Sequence, residues 1–424
     1  MIQEIESYTR AGMPQAPRVV VTGMGAITPV GNDVASTWDG IVRGRSGIAL
    51  VEKFQTDDLD VKIAGEVKNF DPTQFLDRKE ARRMDRFLQL GLVAAQEAVK
   101  DADLKVTPDE AEQVAVLVGT GIGGIETIVE AAITLHTRGP DRVGPFVVPM
   151  MLPNMLAGMI AIQIGARGAN FAVASACATA GHSIGEGAEL IRRGDAEVVL
   201  VGGAEAPVTR IGLAAFDSMH ALSKRNDEPH RASRPFDAQR DGFVLAEAAG
   251  VLVLESLEHA SRRDAHIYAE VTGYGATDDA YHITAPSEGG EGAARAMRLA
   301  ICRAGLQPSD IGYINAHGTS TPHNDRTETQ AIKSVFGTHA PPVSSTKSMT
   351  GHLIGASGAI EAIICIKTML EGCLPPTINY EHPDPECDLD YVPNVARPAR
   401  VDAALSNSLG FGGHNMALVV SRFV

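Results

Sequence analysis

Residues 177–191, CATAGHSIGEGAELI, and residues 351–371, GHLIGASGAIEAIICIKTMLE, decide the fold. Both stretches are rich in Gly and Ala on every side, which suits a helix only where neighbours press close. Two such helices predict a central layer held between two sheets. They also predict an internal repeat, because GHSIG at 181–185 resembles GHLIG at 351–355. Two more pairs occur in the same order. VTGMGA at 21–26 resembles VTGYGA at 271–276, and VLVGGAEAP at 199–207 resembles LGFGGHNMA at 409–417. Similarity at matched order is the mark of a duplicated unit. The GHLIG pairing sets Lys347 against Cys177.

Outward from these helices, strands and helices alternate. RVVVTGMG (18–25), EQVAVLVGTGIGG (112–124), FAVASA (171–176) and EVVLVGGAE (197–205) read as strands of a first half. Residues 82–104 and 155–166 carry apolar residues three and four apart and read as helices. In a second half, 267–277, 310–320 and 341–347 read as strands, and 403–423 as a hairpin-like pair. Helices are expected at 289–307 and after HNDRTETQ. Such alternation predicts mostly parallel strands in α/β layers. VAVLV and EVVLV are apolar throughout, so they are covered on both faces. The expected architecture is a five-layered α/β/α/β/α sandwich of two similar halves, 18–268 and 269–424. Residues 1–17, mixed in charge with no apolar core, are expected to be a flexible leader and not a secretory signal.

The 424 residues include 44% hydrophobic and 21% charged, the balance of a globular chain long enough for a large core. The net charge of −15 opposes a nucleic-acid surface, which needs a positive field. Five cysteines without CxxC spacing fit free thiols in a reducing cytoplasm. From Arg142 to Arg167 no charge intervenes. The run is long enough to span a bilayer, but Pro149, Pro153, Asn154 and Gln163 interrupt it. A buried loop-helix at a subunit interface is expected instead.

Cys177 is the leading candidate for chemistry. Most free cysteines are small buried hydrophobes. This one sits where an apolar strand meets a helix N-terminus, whose N–H groups and partial positive charge lower a thiol pKa and hold an oxyanion. Cys302, Cys365, Cys373 and Cys387 lie in helices or loops and receive no role. His317 lies at the carboxyl end of a strand, where α/β proteins bind ligands. His352 lies at the start of the second Gly/Ala helix. Either alone reads as a hydrogen-bonded turn residue, and only superposable halves bring them to Cys177. His182 reads as packing. Asp325, Glu328 and Lys347 are expected to form a charge cluster, either buried or on the surface. Gly119-x-Gly121-x-x-Gly124 follows a strand, but the acidic residue of a dinucleotide site is missing about 20 residues on. No metal-ligand cluster has workable sequence spacing.

From Arg18 to the C-terminus the chain resembles the elongating, class II β-ketoacyl-(acyl-carrier-protein) synthases of the thiolase-like superfamily. VTGMGAITPVG, SACATA, SRPFDAQRDGFVLAEAAG, NAHGTSTPHND, STKSMTGHLIGASGAIEA, PPTINY, CDLDYVP and NSLGFGGHN carry the resemblance. It implies a thiolase fold, a homodimer and an acyltransferase of fatty acid synthesis. Malonyl-acyl carrier protein would lose carbon dioxide and extend a Cys177-bound acyl chain by two carbons. His317 and His352 would stabilise the enolate through Nε2–H. Backbone N–H groups of Cys177 and Phe411 would form the oxyanion hole. Lys347 would orient the His317 region through Glu328, with Asp325 in support. Phe216 and Phe411 match gates of the acyl pocket, and Ile122 matches its wall. Arg82, Arg83 and Arg142 match residues that receive the carrier. Asn315, Glu361 and Asn407 match a structural monovalent-cation site. No catalytic metal or cofactor is implied beyond the carrier's phosphopantetheine arm. The chain departs from the pattern at Asp141, His220 and positions 323–324. A polyketide ketosynthase and a non-catalytic chain-length partner are the alternative readings, and Cys177, His317, Lys347 and His352 together disfavour the second.

Overall fold

The computed structural model describes residues 16–424. Of the expected leader, residues 1–15 lie outside the described part. The main strands are β1 (Val19–Ile27), β2 (Val114–Gly119), β3 (Val198–Glu205), β4 (Ala248–Ser256), β5 (Ala269–Asp278), β6 (Tyr313–Asn315), β7 (Val343–Ser344), β8 (Ala403–Gly410) and β9 (His414–Ser421). The helices that position the site are α1 (Arg86–Asp101), α2 (Ile125–Arg138), α3 (Val147–Met151), α4 (Met155–Ile164), α5 (Thr179–Arg193), α6 (Arg210–Ser218), α7 (Glu291–Arg303), α8 (Pro322–Phe336) and α9 (Ser357–Glu371).

The strands hydrogen-bond in the order β2-β3-β4-β1-β5-β9-β8-β6-β7. Only Val20–Glu270 and Val21–Ala269 join β1 to β5, so a two-residue seam links two half-sheets. α5 and α9 each pack on strands of both half-sheets and on one another. α1 and α4 cover the outer face of the first half-sheet, and α7 covers that of the second with α8 beside it. The result is the expected α/β/α/β/α layering. The strand directions differ from expectation. Only β2–β3, β8–β6 and β6–β7 are parallel, and the other five pairings are antiparallel. The main cause is β4, hidden in the stretch FVLAEAAGVLVLES. It closes the first half with an antiparallel strand, as β9 closes the second.

Pairing and layer position superpose β1 on β5, β2 on β6, β3 on β8 and β4 on β9. VTGMGA and VTGYGA are indeed equivalent, and the reason is steric. A Cβ on Gly23 or Gly25 would come within 2.3 or 2.0 Å of carbonyl oxygens of Ala98 or Ala94 on α1. A Cβ on Gly273 or Gly275 would come within 2.1 Å of those of Ala300 or Ala296 on α7. Each glycine pair lets an outer helix lie directly on its strand. The other two sequence matches are out of register. GHSIG lies inside α5, whereas GHLIG precedes α9. VLVGGAEAP lies in and just beyond β3, whereas LGFGGHNMA runs from β8 through a turn into β9.

The uncharged stretch after Arg142 folds as two short helices, α3 and α4, broken at Pro153. Among the described residues no helix is long and apolar enough to cross a membrane.

Replacing Gly275 with Ala tests the strand–helix contact. The added methyl must push α7 off β5, a cost of about 1–3 kcal/mol. Thermal melting of Gly275→Ala should fall accordingly, and an unchanged midpoint would refute the close-contact account.

Candidate active site

The segment FAVASA is not a strand. The residue before it, Asn170, makes a single bridge to Val116 of β2, and the segment then runs free of any ladder. Ala176 adopts φ 49°, a left-handed conformation that costs a non-glycine residue about 1–2 kcal/mol. A single 3-10 turn, Ala176–Ala178, then feeds α5. This bend sets Cys177 at the helix N-terminus. Gly410, at the end of β8, closes over it. A Cβ there would meet the Ser175 carbonyl oxygen at 2.8 Å.

The second half repeats the bend. Ile354 has φ 46°, and the 3-10 turn Ile354–Ala356 feeds α9. The structural equivalent of Cys177 is therefore Gly355, not Lys347. His352 lies just before the bend. Its backbone N–H donates to the Val244 carbonyl at 2.7 Å, and its carbonyl accepts from Ala246 N–H at 3.0 Å. The imidazole Nε2 lies 3.0 Å from Cys177 Sγ, and Nδ1 lies 3.3 Å from Ser357 Oγ.

His317 follows β6 by two residues. Glu328 on α8 accepts the backbone N–H groups of His317 and Gly318, each at 2.8 Å. The His317 and His352 rings meet edge to face with centroids 5.3 Å apart. One ligand-type atom each from Cys177, His317 and His352 lies within 4.8 Å of the others, and all three residues are buried. Sequence spacing shows no metal-ligand pattern, yet these three residues form such a cluster. Its members are brought together by tertiary contact, and sequence spacing does not show that.

Lys347, Glu328 and Asp325 do not form one cluster. Lys347 Nζ pairs with Glu361 on α9, and both side chains are buried. Lys347 therefore does not act through Glu328. Asp325 accepts N–H groups of Phe236 and Ser320 and faces Arg240 at 3.7 Å. Three separate buried carboxylates thus fix three separate pieces of backbone or charge.

The electrostatics differ from the sequence expectation. Burial pushes the Cys177 thiol up to about 12, although Lys347 and the N–H groups of Phe411 and Cys177 itself pull it down. The helix N-terminus does not outweigh desolvation. Burial, then the Lys347 charge, hold His317 and His352 well below the usual imidazole range. Both rings are neutral near pH 7. Burial also raises the Glu328 carboxyl to about 7.

A cavity of about 430 Å³ opens on this cluster. Ile122, Cys177, Phe216, His317, His352 and Phe411 line it, and His220 and His323 line it as well. Phe216, on α6, packs edge-on against Phe243 at 5.6 Å, and Phe243 packs against His352 at 5.2 Å. Arg82, Arg83 and Arg142 are all exposed. Arg83 lies 4.5 Å over the Phe146 ring, so the Arg82–Arg83 turn adjoins the segment that follows Arg142.

Asn315 Oδ1, Glu361 Oε2 and Asn407 Oδ1 are buried and have no hydrogen-bond partner among the described residues. Asn407 Nδ2 donates to Glu328 at 3.2 Å, and the Lys347 ammonium holds the Glu361 side chain. Unpaired buried oxygens are costly. These three fit a hard monovalent cation, which takes oxygen ligands.

Glu205 was missed by the sequence reading. It ends β3 and is fully buried. Its Oε1 accepts from Thr120 Oγ1 at 2.7 Å and Ile122 N–H at 3.1 Å. Its Oε2 accepts from Gly121 N–H at 2.7 Å and Gly355 N–H at 3.0 Å. One carboxylate thus ties the pocket wall to the second bend. It also occupies the glycine-turn N–H groups that a nucleotide phosphate would need. The visible signal was a lone carboxylate closing an apolar strand.

Comparison with known proteins agrees with this geometry. The family described as Beta-ketoacyl synthase, N-terminal domain, matches residues 16–260, and Beta-ketoacyl synthase, C-terminal domain, matches 268–381. A 3-oxoacyl-[acyl-carrier-protein] synthase 2 of Synechocystis sp. is 52% identical over 96% of this chain and 98% of its own length. One of Staphylococcus aureus is 52% identical over 97% of this chain and 100% of its own. Among solved structures, a beta-ketoacyl synthase from Burkholderia phymatum has a TM-score of 0.90 at 36% identity, covering 96% of this chain and 100% of its own. A type II PKS acyl-carrier protein in complex with its ketosynthase has a TM-score of 0.89 at 35% identity, with the same coverage. With matched domains in both halves and relatives alike along nearly the whole length, the chain belongs to the β-ketoacyl synthase family.

Proposed function

We propose that this protein is a 3-oxoacyl-[acyl-carrier-protein] synthase of the elongating type, which condenses a Cys177-bound acyl chain with malonyl-acyl carrier protein. The observation that carries the reading is the convergence of one sulfur and two neutral imidazoles at the floor of an apolar cavity.

The chemistry follows from the geometry. Cys177 Sγ attacks the thioester carbonyl of the incoming acyl chain, and the thiol proton ends on the departing pantetheine thiol. His352 Nε2, 3.0 Å from the sulfur, lies on that proton's path. The N–H groups of Cys177 and Phe411 point at the sulfur and are placed to receive the oxyanion. Malonyl thioester then loses carbon dioxide, and the electron pair of the broken C–C bond spreads onto the thioester oxygen. N–H groups of His317 and His352 hold that oxygen. The carbanion attacks the acyl-cysteine, the sulfur leaves and regains a proton, and the 3-oxoacyl product carries two more carbons. Neutral imidazoles suit this step. An imidazolium would give its proton to the carbanion and end the condensation.

Lys347 and Glu361 set the local potential, while Glu328 and Asp325 position the His317 and 320–325 backbone. Phe216 and Phe411 gate the acyl pocket, and Ile122 forms its wall. Arg82, Arg83 and Arg142 form the docking face for acidic carrier protein. Asn315, Glu361 and Asn407 would hold a monovalent cation that supplies fixed charge to the fold and no bond-making step. The nucleophile belongs to the half 18–268 and both histidines to the half 269–424. A cytoplasmic homodimer completes the reading, with the exposed apolar residues of α2–α4, including Ile133, Val148 and Ile162, covered by a second copy.

Mass spectrometry tests the assignment. Acyl-carrier thioester should add one acyl group to Cys177, and Cys177→Ala should lose both adduct and condensation. His352→Ala should still accept the acyl group but decarboxylate malonyl thioester about 10²–10³ times more slowly. Full decarboxylation in that variant would remove His352 from the oxyanion role. The raised thiol gives a second test. Peptide-resolved alkylation of Cys177 by iodoacetamide should rise about tenfold per pH unit between about pH 6.5 and 9, because only the thiolate reacts. A plateau in that range would show a thiolate already formed.

A further inference from the structure

Cys177, His317 and His352 also have the chemistry of a metal tripod. Soft thiolate and neutral imidazole are the donors that select zinc and its thiophilic relatives. Tetrahedral zinc, with bonds of about 2.3 Å to sulfur and about 2.0–2.1 Å to nitrogen, sets neighbouring donors about 3.3–3.6 Å apart. Here the Cys177–His352 separation is 3.0 Å, and all three donor atoms lie within 4.8 Å. The widest separation must close by up to about 1.5 Å, shared between two side chains, to reach that geometry. The donors come from three separate segments fixed by backbone hydrogen bonds, so the tripod is preformed. His317 Nδ1 has no hydrogen-bond partner among the described residues, so no bond through that atom resists a small rotation of the ring. The cavity gives an ion an approach path and leaves the fourth position open to water.

We propose that, with no acyl group on the sulfur, this site binds one soft divalent cation such as Zn²⁺, held by Cys177, His317 and His352, and that the ion blocks acyl transfer.

Binding replaces the S–H bond with a metal–sulfur bond and releases that proton to solvent. Thiolate formation, costly in the empty site, is then compensated by the ion's charge. The surrounding charges moderate affinity in opposite directions. Lys347 repels a dication, although Glu361 pairs with it, and Glu205, whose carboxyl burial pushes up, attracts one only as its carboxylate. Both imidazoles are held neutral by burial, so neither must lose a proton to coordinate. An ion and an acyl group both need the sulfur and therefore exclude one another. Ion binding requires only these three donors, whereas the block of acyl transfer rests on the proposed condensation chemistry.

Titration of the full-length protein with Cd²⁺, followed by the ultraviolet thiolate-to-metal charge-transfer band, tests the tripod. Equilibrium dialysis with Zn²⁺ counts the ions. The expected result is one ion per chain with a saturable band. The band should vanish in Cys177→Ser and in wild-type protein whose Cys177 has been alkylated, a sample whose fold is not in question. His317→Ala and His352→Ala should each weaken binding at least tenfold, the lower end of about 10–100-fold seen when supporting groups are lost. A band that survives alkylation of Cys177, or an affinity unchanged by both histidine variants, would place the ion elsewhere and overturn the proposal. Absence of saturable binding would overturn it as well.

Discussion

The two central helices touch backbone to backbone. A Cβ on Gly358 of α9 would lie 2.6 Å from the Gly181 nitrogen of α5. No larger residue fits at that crossing, and everything at the site depends on it. The contact brings the first turns of both helices together, each preceded by a left-handed residue and a 3-10 turn. One bend delivers Cys177, and the other follows His352. If the helices stood apart by even one methyl group, the 3.0 Å sulfur–imidazole contact would open.

Burial at this crossing has an electrostatic consequence. Burial withdraws much of the solvation that would stabilise thiolate or imidazolium, so the resting triad is neutral. Ionisable groups beside the triad have partners. Lys347 is tied to Glu361, and Glu205 is met by four hydrogen-bond donors. A buried ion pair adds little net stability against an apolar replacement of similar shape. Its value here is positional. A fixed ammonium favours the anions formed along the reaction and disfavours a proton on either imidazole.

The layered fold was legible because close packing leaves a mark in composition. Glycines at 23, 25, 273 and 275 were readable as a repeat, and each proved to lie under an outer helix. Cys177, His317 and His352 were readable as residues near element ends, although His317 lies two residues beyond β6 and His352 five residues before α9. What stayed hidden is non-local. β4 lies in a stretch without turn punctuation, and its antiparallel pairing is decided by its neighbours. The partner of Lys347 is 14 residues away on the far side of the His352 bend, and no charge pattern separates Glu361 from Glu328 as its mate. The thiol's direction of shift followed a local rule about helix termini, whereas desolvation is set by the whole fold. Glu205 carried only the signal of its own oddity in an apolar strand.

The duplicated bend explains why Glu205 belongs there. Two helix N-termini meet at the centre, and each presents N–H groups able to hold an anion. At the first bend the Cys177 N–H is directed at its own sulfur. At the second, the equivalent N–H of Gly355 is taken by Glu205. The same carboxylate takes Gly121 and Ile122 from the pocket wall. A fold built from two similar halves thus leaves one helix end open at Cys177 and caps the other with the Glu205 side chain. In the proposed reaction, the N–H groups at the sulfur are the donors that remain for the anion of acyl transfer.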